Sequence, residues 1–182
     1  AHLKTSIFHI EISAERFPAV GDFVVVRKNQ DGEDTILRVF ERKSKFSRLD
    51  SFNRTEQVIA ANFDYVFIMI SLNHDFNLNR IERYLSVALQ SRAMPVIVLT
   101  KADSNDAYEA HVEEVKQFTG CENVFAISAT SGFGLDALRP FFKTGKTLAF
   151  IGSSGVGKST LVNVMAGEAV MKVNAIRDRK SV

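Results

Sequence analysis

The sequence predicts an α/β fold on a mostly parallel sheet, with a smaller β-rich segment in front of it. Three observations predict this. Gly152-Ser153-Ser154-Gly155-Val156-Gly157-Lys158-Ser159 fits G-x-x-x-x-G-K-[ST] and stands between an apolar run and a helical pattern. From about residue 58 onward, continuous apolar runs alternate with stretches of helical period, as in a parallel sheet covered on both faces. In the first fifty or so residues, short apolar stretches are separated by polar turn signals, which suits a small barrel.

The elements follow in chain order. Val20-Gly21-Asp22 is a turn signal ahead of a strand over Phe23-Val24-Val25-Val26. Asp31-Gly32-Glu33-Asp34 is a polar turn, and Thr35 to Phe40 is the next strand. Tyr65 to Ile70 is a continuous apolar run, typical of a strand buried on both faces. Arg80 to Gln90 carries Ile81, Leu85, Ala88 and Leu89 at helical spacing. Pro95 to Leu99 is a second buried strand. Asp106 to Phe118 is an amphipathic helix with Tyr108, Val112, Val115 and Phe118 on one stripe, closed by Gly120. Val124 to Ile127 is a third strand, Gly134 to Phe142 a short helix, and Leu148 to Ile151 a fourth strand. A helix over Leu161 to Ala166 ends at Gly167. The expected domains are 1–55, β-rich, and 56–182, α/β. Ligands in such sheets bind at the carboxyl ends of the strands, and three of these four strands end in polar, motif-like residues.

Composition bounds the function. The chain has 182 residues, 46% hydrophobic and 24% charged, without repeats or low-complexity tracts. No apolar run approaches the ~20 residues of a membrane span, and no signal-peptide core is present, so no membrane partner is expected. The single cysteine, Cys121, excludes an internal disulfide and a cysteine-rich zinc site, which favours a reducing, cytoplasmic setting. A net charge of +2 is too small to argue for nucleic acid by itself. Its distribution says more. Arg38, Arg42, Lys43, Lys45 and Arg48 stand together against Glu41, and Arg177, Arg179 and Lys180 form a second cluster. Charge alone leaves a solvated strand face and an RNA contact equally open.

The chemistry-bearing segments sit at strand ends. In the 152–159 loop, backbone N–H groups can wrap phosphates, assisted by the positive end of the following helix. Lys158 would reach the β- and γ-phosphates, and Ser159 would hold Mg²⁺ through its hydroxyl. Leu99 is followed by Thr100-Lys101-Ala102-Asp103, an [NT]-K-x-D pattern suited to reading guanine. A carboxylate at Asp103 can accept from the ring N1–H and the exocyclic amino group, a donor pair adenine lacks. The aliphatic stem of Lys101 can pack along the base. Alone, the tetrapeptide is a weak signal and fits an exposed charged loop better. Ser128-Ala129 lies one strand–helix unit later, where a free backbone N–H can meet the guanine carbonyl.

The order base motif, Ser-Ala, then phosphate loop resembles that of the circularly permuted GTPases, and within them the small-ribosomal-subunit biogenesis GTPases (the RsgA or YjeQ family). Phe17 to Val24, Arg42-Lys43-Ser44 with Arg48, Gln57 to Asp64, Ile81 to Leu85 and Gly152 to Thr160 carry the resemblance. It implies a circularly permuted P-loop GTPase domain preceded by an OB-type barrel that contacts ribosomal RNA. It implies GTP and GDP as ligands, Mg²⁺ as cofactor, the small ribosomal subunit as partner and a role in its late maturation, for a protein expected to be monomeric. It makes Arg38, Arg42, Lys43, Lys45 and Arg48 candidate RNA contacts.

Against the family's pattern, the barrel is expected to be partial, and no D-x-x-G or later switch threonine occurs, so no catalytic residue is assigned. Zinc is expected only in the family's C-terminal domain, which has no counterpart in these residues. Asp178-Arg179-Lys180-Ser181-Val182 fits no assigned element. The 182 residues therefore read as lacking the switch region and tail, and as needing them and the ribosomal subunit for turnover. Two alternatives stand beside the GTPase: a non-hydrolysing, nucleotide-gated RNA-binding module, and a P-loop ATPase in which Thr100 to Asp103 is accidental.

Overall fold

The computed structural model describes residues 17–29, 32–49, 56–73 and 76–171. Asp31 of the expected polar turn, the Arg177–Lys180 cluster and the 178–182 tail lie outside them. Two compact units divide between Phe63 and Asp64.

In the first unit, β1 (Val24–Arg27) pairs antiparallel with β2 (Thr35–Val39), and β3 (Lys45–Leu49) pairs antiparallel with β4 (Glu56–Ala61). The two pairs are separate sheets, and an isolated parallel bridge joins Val20 to Ala60. Neither β3 nor β4 stands out in the sequence. β3 lies inside the basic stretch, where charge hides a short strand. β4 lies in the segment assigned to the second domain, but its pairing with β3 places it in the first unit and moves the division past residue 56.

Among the described residues of this unit, few apolar side chains are buried. Of its described hydrophobic residues, only Ala61 and Phe63 are buried, with the Phe46 ring 4.5 Å from that of Phe63. Polar ties join its described segments. Arg42 donates through Nε to Asp22 Oδ1 at 2.8 Å and through Nη2 to Asp22 Oδ2 at 2.7 Å. The Ala19 N–H also donates to Asp22, at 2.8 Å, and Arg42 Nη2 reaches the Phe17 carbonyl at 2.7 Å. Asn62 accepts from the Lys43 N–H and donates to the Gly21 carbonyl, both at 3.0 Å. Ser44 Oγ donates to the Phe63 carbonyl at 2.6 Å and accepts from its N–H at 2.9 Å. Gly21 has φ 90, and a Cβ there would run into the Ala61 carbonyl oxygen, so this crossing needs glycine. Three segments distant in sequence, 17–22, 42–44 and 61–63, are thus tied into one polar knot.

The second unit runs β5 (Tyr65–Ser71), α1 (Leu78–Gln90), β6 (Met94–Thr100), α2 (Tyr108–Thr119), β7 (Val124–Ile127), β8 (Leu148–Gly152) and α3 (Lys158–Ala166). Single 3₁₀ segments cover Ala102–Ser104 and Leu135–Phe141. The sheet order is β7-β6-β5-β8, and every neighbouring pair is parallel. The α/β expectation holds, with boundaries shifted by one or two residues at most strand ends. The predicted helix at 134–142 is a 3₁₀ segment, consistent with Pro140 inside it.

The apolar runs explain this sheet. Val66 to Ile70 and Val96 to Leu99 are almost completely buried, as strands covered on both faces require. One face packs Phe67, Met69, Val96, Val98 and Ile127 against Leu135, Leu138, Val156 and Leu161. Phe67 sits among the rings of Phe141, Phe142 and Phe150, at 5.8, 5.6 and 5.2 Å. The other face is covered by α1 and α2, which contact β5, β6 and β7. Ile81, Leu85, Ala88 and Val115 are buried as the helical periods predict, but Leu89 and Phe118 are exposed, on the edges of their stripes. Asn77 starts α1 by accepting from the Arg80 N–H at 3.0 Å. Gly120, with φ 66, ends α2. Among the described residues, no helix is long and apolar enough to cross a membrane.

Candidate functional site

The parallel registers bring four strand ends to one edge. Met69 lies opposite Gly152, Ser71 opposite Thr100, and Thr100 opposite Ile127. The segments after β6, β7 and β8, predicted separately from sequence, therefore leave the sheet on the same side. The chain runs from β5 outward to β6 and β7, then returns to place β8 on the other flank of β5. This reversal makes the carboxyl ends of β5 and β8 a topological switch point, where open α/β sheets bind ligands.

The 152–159 loop is seated by its first and fifth residues. Gly152 has φ 151, and a Cβ there would press on the Met69 carbonyl oxygen and the Val156 side chain. Val156 is buried in the core cluster with Met69 and Leu161. Ser154 and Gly155 are exposed, while Ser153, Gly157, Ser159 and Thr160 are half-buried. Lys158 folds back over the loop and donates to the carbonyls of Gly152 at 2.9 Å and Ser153 at 2.7 Å. Burial lowers its ammonium below the ordinary lysine value. The loop thus holds a partly desolvated cation at its centre. The Ser159 hydroxyl, on the first turn of α3, makes no hydrogen bond to another described residue.

Thr100 does something the sequence did not indicate. Its side chain is buried, and its hydroxyl lies 2.8 Å from the Val156 carbonyl and 3.4 Å from that of Ile70. The shorter contact is the hydrogen bond, so Thr100 ties the end of β6 to the phosphate loop. Beyond it, Lys101 takes a left-handed conformation with φ 61, Ala102 is buried, and Asp103 is exposed. The Asp103 carboxylate makes no hydrogen bond or ion pair with another described residue. Asn105 steadies the turn, donating to the Leu72 carbonyl at 3.1 Å and accepting from the Ala107 N–H at 2.9 Å.

The Ser128-Ala129 loop closes on itself. Ser128 is buried, and its N–H donates to the Phe133 carbonyl at 2.9 Å while its Oγ accepts from the Ser131 N–H at 3.2 Å. The Ala129 N–H has no partner among the described residues, which leaves it the available donor of this pair. Tyr108, at the start of α2, packs edge-on against Phe133 at 5.1 Å and links the two loops.

The five basic candidates of the first unit separate sharply. Arg42 is 11% exposed in its side chain and committed to Asp22. Burial alone would raise the Asp22 carboxyl; the hydrogen bond from Arg42, the Ala19 N–H and the Arg42 charge outweigh it and hold the group below the ordinary aspartate value. Lys45 pairs with Glu56 at 3.0 Å. Arg48 is exposed, donating to Gln57 at 3.0 Å, and Lys43 is exposed. Arg38 is exposed with its guanidinium over the Phe40 ring, 5.7 Å from the centroid. Arg42 is therefore built into the unit, whereas Arg38, Lys43 and Arg48 face solvent.

A further buried side chain lies at this edge of the sheet. Ser71 ends the only strand of the sheet with no recognised motif, and it lies beside Thr100. A lone serine after an apolar run carries no pattern.

Comparison with known proteins places this arrangement. The RsgA GTPase family model matches residues 39–182. A small ribosomal subunit biogenesis GTPase, RsgA 2, of Listeria monocytogenes is 45% identical over 181 residues, covering 100% of this chain and 51% of the relative. A protein of the same name, RsgA, of Methanosarcina acetivorans is 44% identical over 162 residues, covering 88% of this chain and 44% of the relative. The chain thus spans about half the length of these curated relatives. YjeQ from Thermotoga maritima superposes with a TM-score of 0.69 at 25% identity, covering 90% of this chain and 55% of that one. YloQ, a circularly permuted GTPase, superposes with a TM-score of 0.56 at 26% identity, covering 85% and 50%.

Proposed function

The chain belongs to the RsgA GTPase family, and from that premise we propose that it binds and hydrolyses GTP in the maturation of the small ribosomal subunit. One observation carries the nucleotide part: three loops that suit phosphate, guanine edge and guanine carbonyl leave one edge of one sheet.

In this reading the N–H groups of Ser153 to Ser159 wrap the phosphates, and Lys158 gives up loop carbonyls to meet their charge. Asp103 accepts from the guanine N1–H and amino group, the Lys101 stem lies along the base, and the Ala129 N–H donates to the guanine carbonyl. Thr100 serves differently from the sequence expectation: its hydroxyl is spent on Val156 and steadies the loop rather than the base. Mg²⁺ fits the donor set. Among the described residues no group of three His, Cys, Asp or Glu could hold a metal, so the ion would rest on Ser159 and phosphate oxygens, as Mg²⁺ commonly does. Bound there, it would neutralise charge on the transferred phosphoryl group.

The first unit, read as an OB-type module, is proposed to contact ribosomal RNA. Support lies on one face of the β1–β2 hairpin. The register places Val25 opposite Arg38 and the Phe40 N–H on the Phe23 carbonyl at 2.9 Å, so Phe23, Val25, Arg38 and Phe40 share a face. Phe23 is 62% exposed and Phe40 48%. Arginine stacked on exposed phenylalanine suits unpaired bases and phosphate together.

Competition decides the nucleotide reading. GDP should displace a fluorescent guanine nucleotide while ATP does not, and Asp103→Asn should shift preference towards xanthosine diphosphate. ATP competing as well as GDP would establish the ATPase alternative instead.

A further inference from the structure

Among the described residues, Ser71 Oγ is the only buried side-chain oxygen or nitrogen without a hydrogen-bond partner. The residue is 3% exposed. A hydroxyl in that condition is costly, and buried polar atoms in folded proteins are satisfied in the great majority of cases. Its position is unusual as well. Ser71 is the last residue of β5, at the switch point of the sheet. It follows Phe67 and Met69 at two-residue steps, so its side chain lies on their face, the face that packs against Val156 and Leu161. Met69 is opposite Gly152, and Ser71 is two residues further on, level with the loop. Its other neighbour is Thr100, whose hydroxyl already holds a loop carbonyl.

Resting on the nucleotide reading above, we propose that Ser71 is a positioning residue for the phosphate loop, its hydroxyl donating to a loop carbonyl when Lys158 turns to phosphate. Each loop carbonyl must find a donor. Peptide groups whose N–H groups converge on a phosphate direct their carbonyls back towards the protein, where each needs a donor. In this structure Lys158 supplies the carbonyls of Gly152 and Ser153, and Thr100 supplies that of Val156. A lysine that turns to phosphate releases acceptors beside the end of β5. Ser71 is the hydroxyl at that place with an uncommitted proton. The exchange moves hydrogen bonds only; no covalent bond changes.

This role predicts opposite signs for stability and affinity. Ser71→Ala removes an unsatisfied buried hydroxyl, so the thermal midpoint measured without nucleotide should hold or rise, by about 2–4 °C for each kcal/mol recovered. The same variant should bind GDP roughly three- to tenfold more weakly, the value of one hydrogen bond. GMP, which lacks the β-phosphate, should bind as it does to the wild type. Ser71→Cys is slightly larger and donates only weakly, and should share the GDP loss. Ser71→Ala with wild-type GDP affinity overturns the proposal. So does a lowered midpoint with GDP and GMP weakened alike, which is what a merely structural serine gives. Wild-type protein that binds no GDP overturns the nucleotide reading itself, a result distinct from either.

Discussion

The described parts of the two units are held together by opposite means. In the second, the sheet is a nearly dry apolar slab, with Phe67 enclosed by three other phenylalanine rings and Val96 to Leu99 fully buried. In the first, described strands are largely exposed, and three segments are held together by Asp22–Arg42, Asn62 and Ser44–Phe63. An apolar core tolerates changes of shape by degrees, because burial scales with area. A polar knot does not, because removing one partner strands the other. Charge therefore means different things in the two places. A basic residue paired with a buried carboxylate is part of the architecture, and a basic residue over an exposed ring keeps its charge at the solvent.

The largest expected effects test this contrast directly. Phe67→Ala should cost the second unit about 3–5 kcal/mol, through lost transfer energy and the cavity left behind. Arg42→Ala should cost the first unit a comparable ~3–5 kcal/mol, though it removes no large apolar surface, because it leaves the buried Asp22 carboxylate without its counter-charge, held only by the Ala19 N–H. The double variant Asp22→Leu/Arg42→Met should lose less than Arg42→Ala. Denaturant unfolding with hydrogen exchange to separate the units measures all three. If Arg42→Ala proved neutral, the knot would not be what holds the first unit. The same variant is a poor probe of RNA contact, since weakened binding would report unfolding.

How much was legible in the sequence follows the same division. The strands of the second unit announce themselves as apolar runs, and the loop and Thr100–Asp103 as spacings, because local sequence determines them. Leu89 and Phe118 were misplaced inward because helical period gives a stripe without its edges. In the first unit the decisive contacts join residues such as Gly21 and Asn62, forty-one positions apart, and no local period encodes such a pairing. The segments 17–24, 42–44 and 57–64 resemble the family's, yet the sequence could not say that they touch. Arg42 was accordingly counted with Arg38, Lys43, Lys45 and Arg48 as one basic stretch. The same limit applies to Thr100. Its pattern points to guanine, but its bond to Val156 spans fifty-six positions.

A smaller effect is expected at Thr100. Thr100→Val keeps the shape and removes the donor to the Val156 carbonyl, a loss of about 1–3 kcal/mol if the carbonyl stays unsatisfied. GDP affinity should fall by up to the corresponding roughly 5- to 150-fold, with the preference for GDP over xanthosine diphosphate unchanged. Asp103→Asn should do the reverse, altering base preference. Loss of base preference in Thr100→Val would return the hydroxyl to a base-reading role. Acid should also tell the units apart. The Asp22 carboxyl is depressed in the folded state, so its contribution is present above the ordinary aspartate value and is lost as pH falls through the lower folded one. The first unit should therefore weaken below roughly pH 4, an effect absent in Asp22→Asn. Equal acid sensitivity of wild type and Asp22→Asn would assign the loss to other groups.

The smallest effect on stability is expected at the solvent-facing basic residues of the first unit. Arg38→Ala and Lys43→Ala remove side chains that face solvent, so unfolding should change by less than about 0.5 kcal/mol. If these residues meet RNA phosphates, each substitution should lower the slope of log affinity against log salt by about one unit. Phe23→Ala and Phe40→Ala should leave that slope alone and weaken single-stranded RNA more than duplex, since stacking needs an unpaired base. Salt titrations with a short single-stranded RNA and its duplex separate the two contributions. Unchanged binding in all four variants would leave the hairpin face without an RNA role and restrict the contrast between the units to how they fold. A salt effect without a stacking effect would keep the charge and remove the rings.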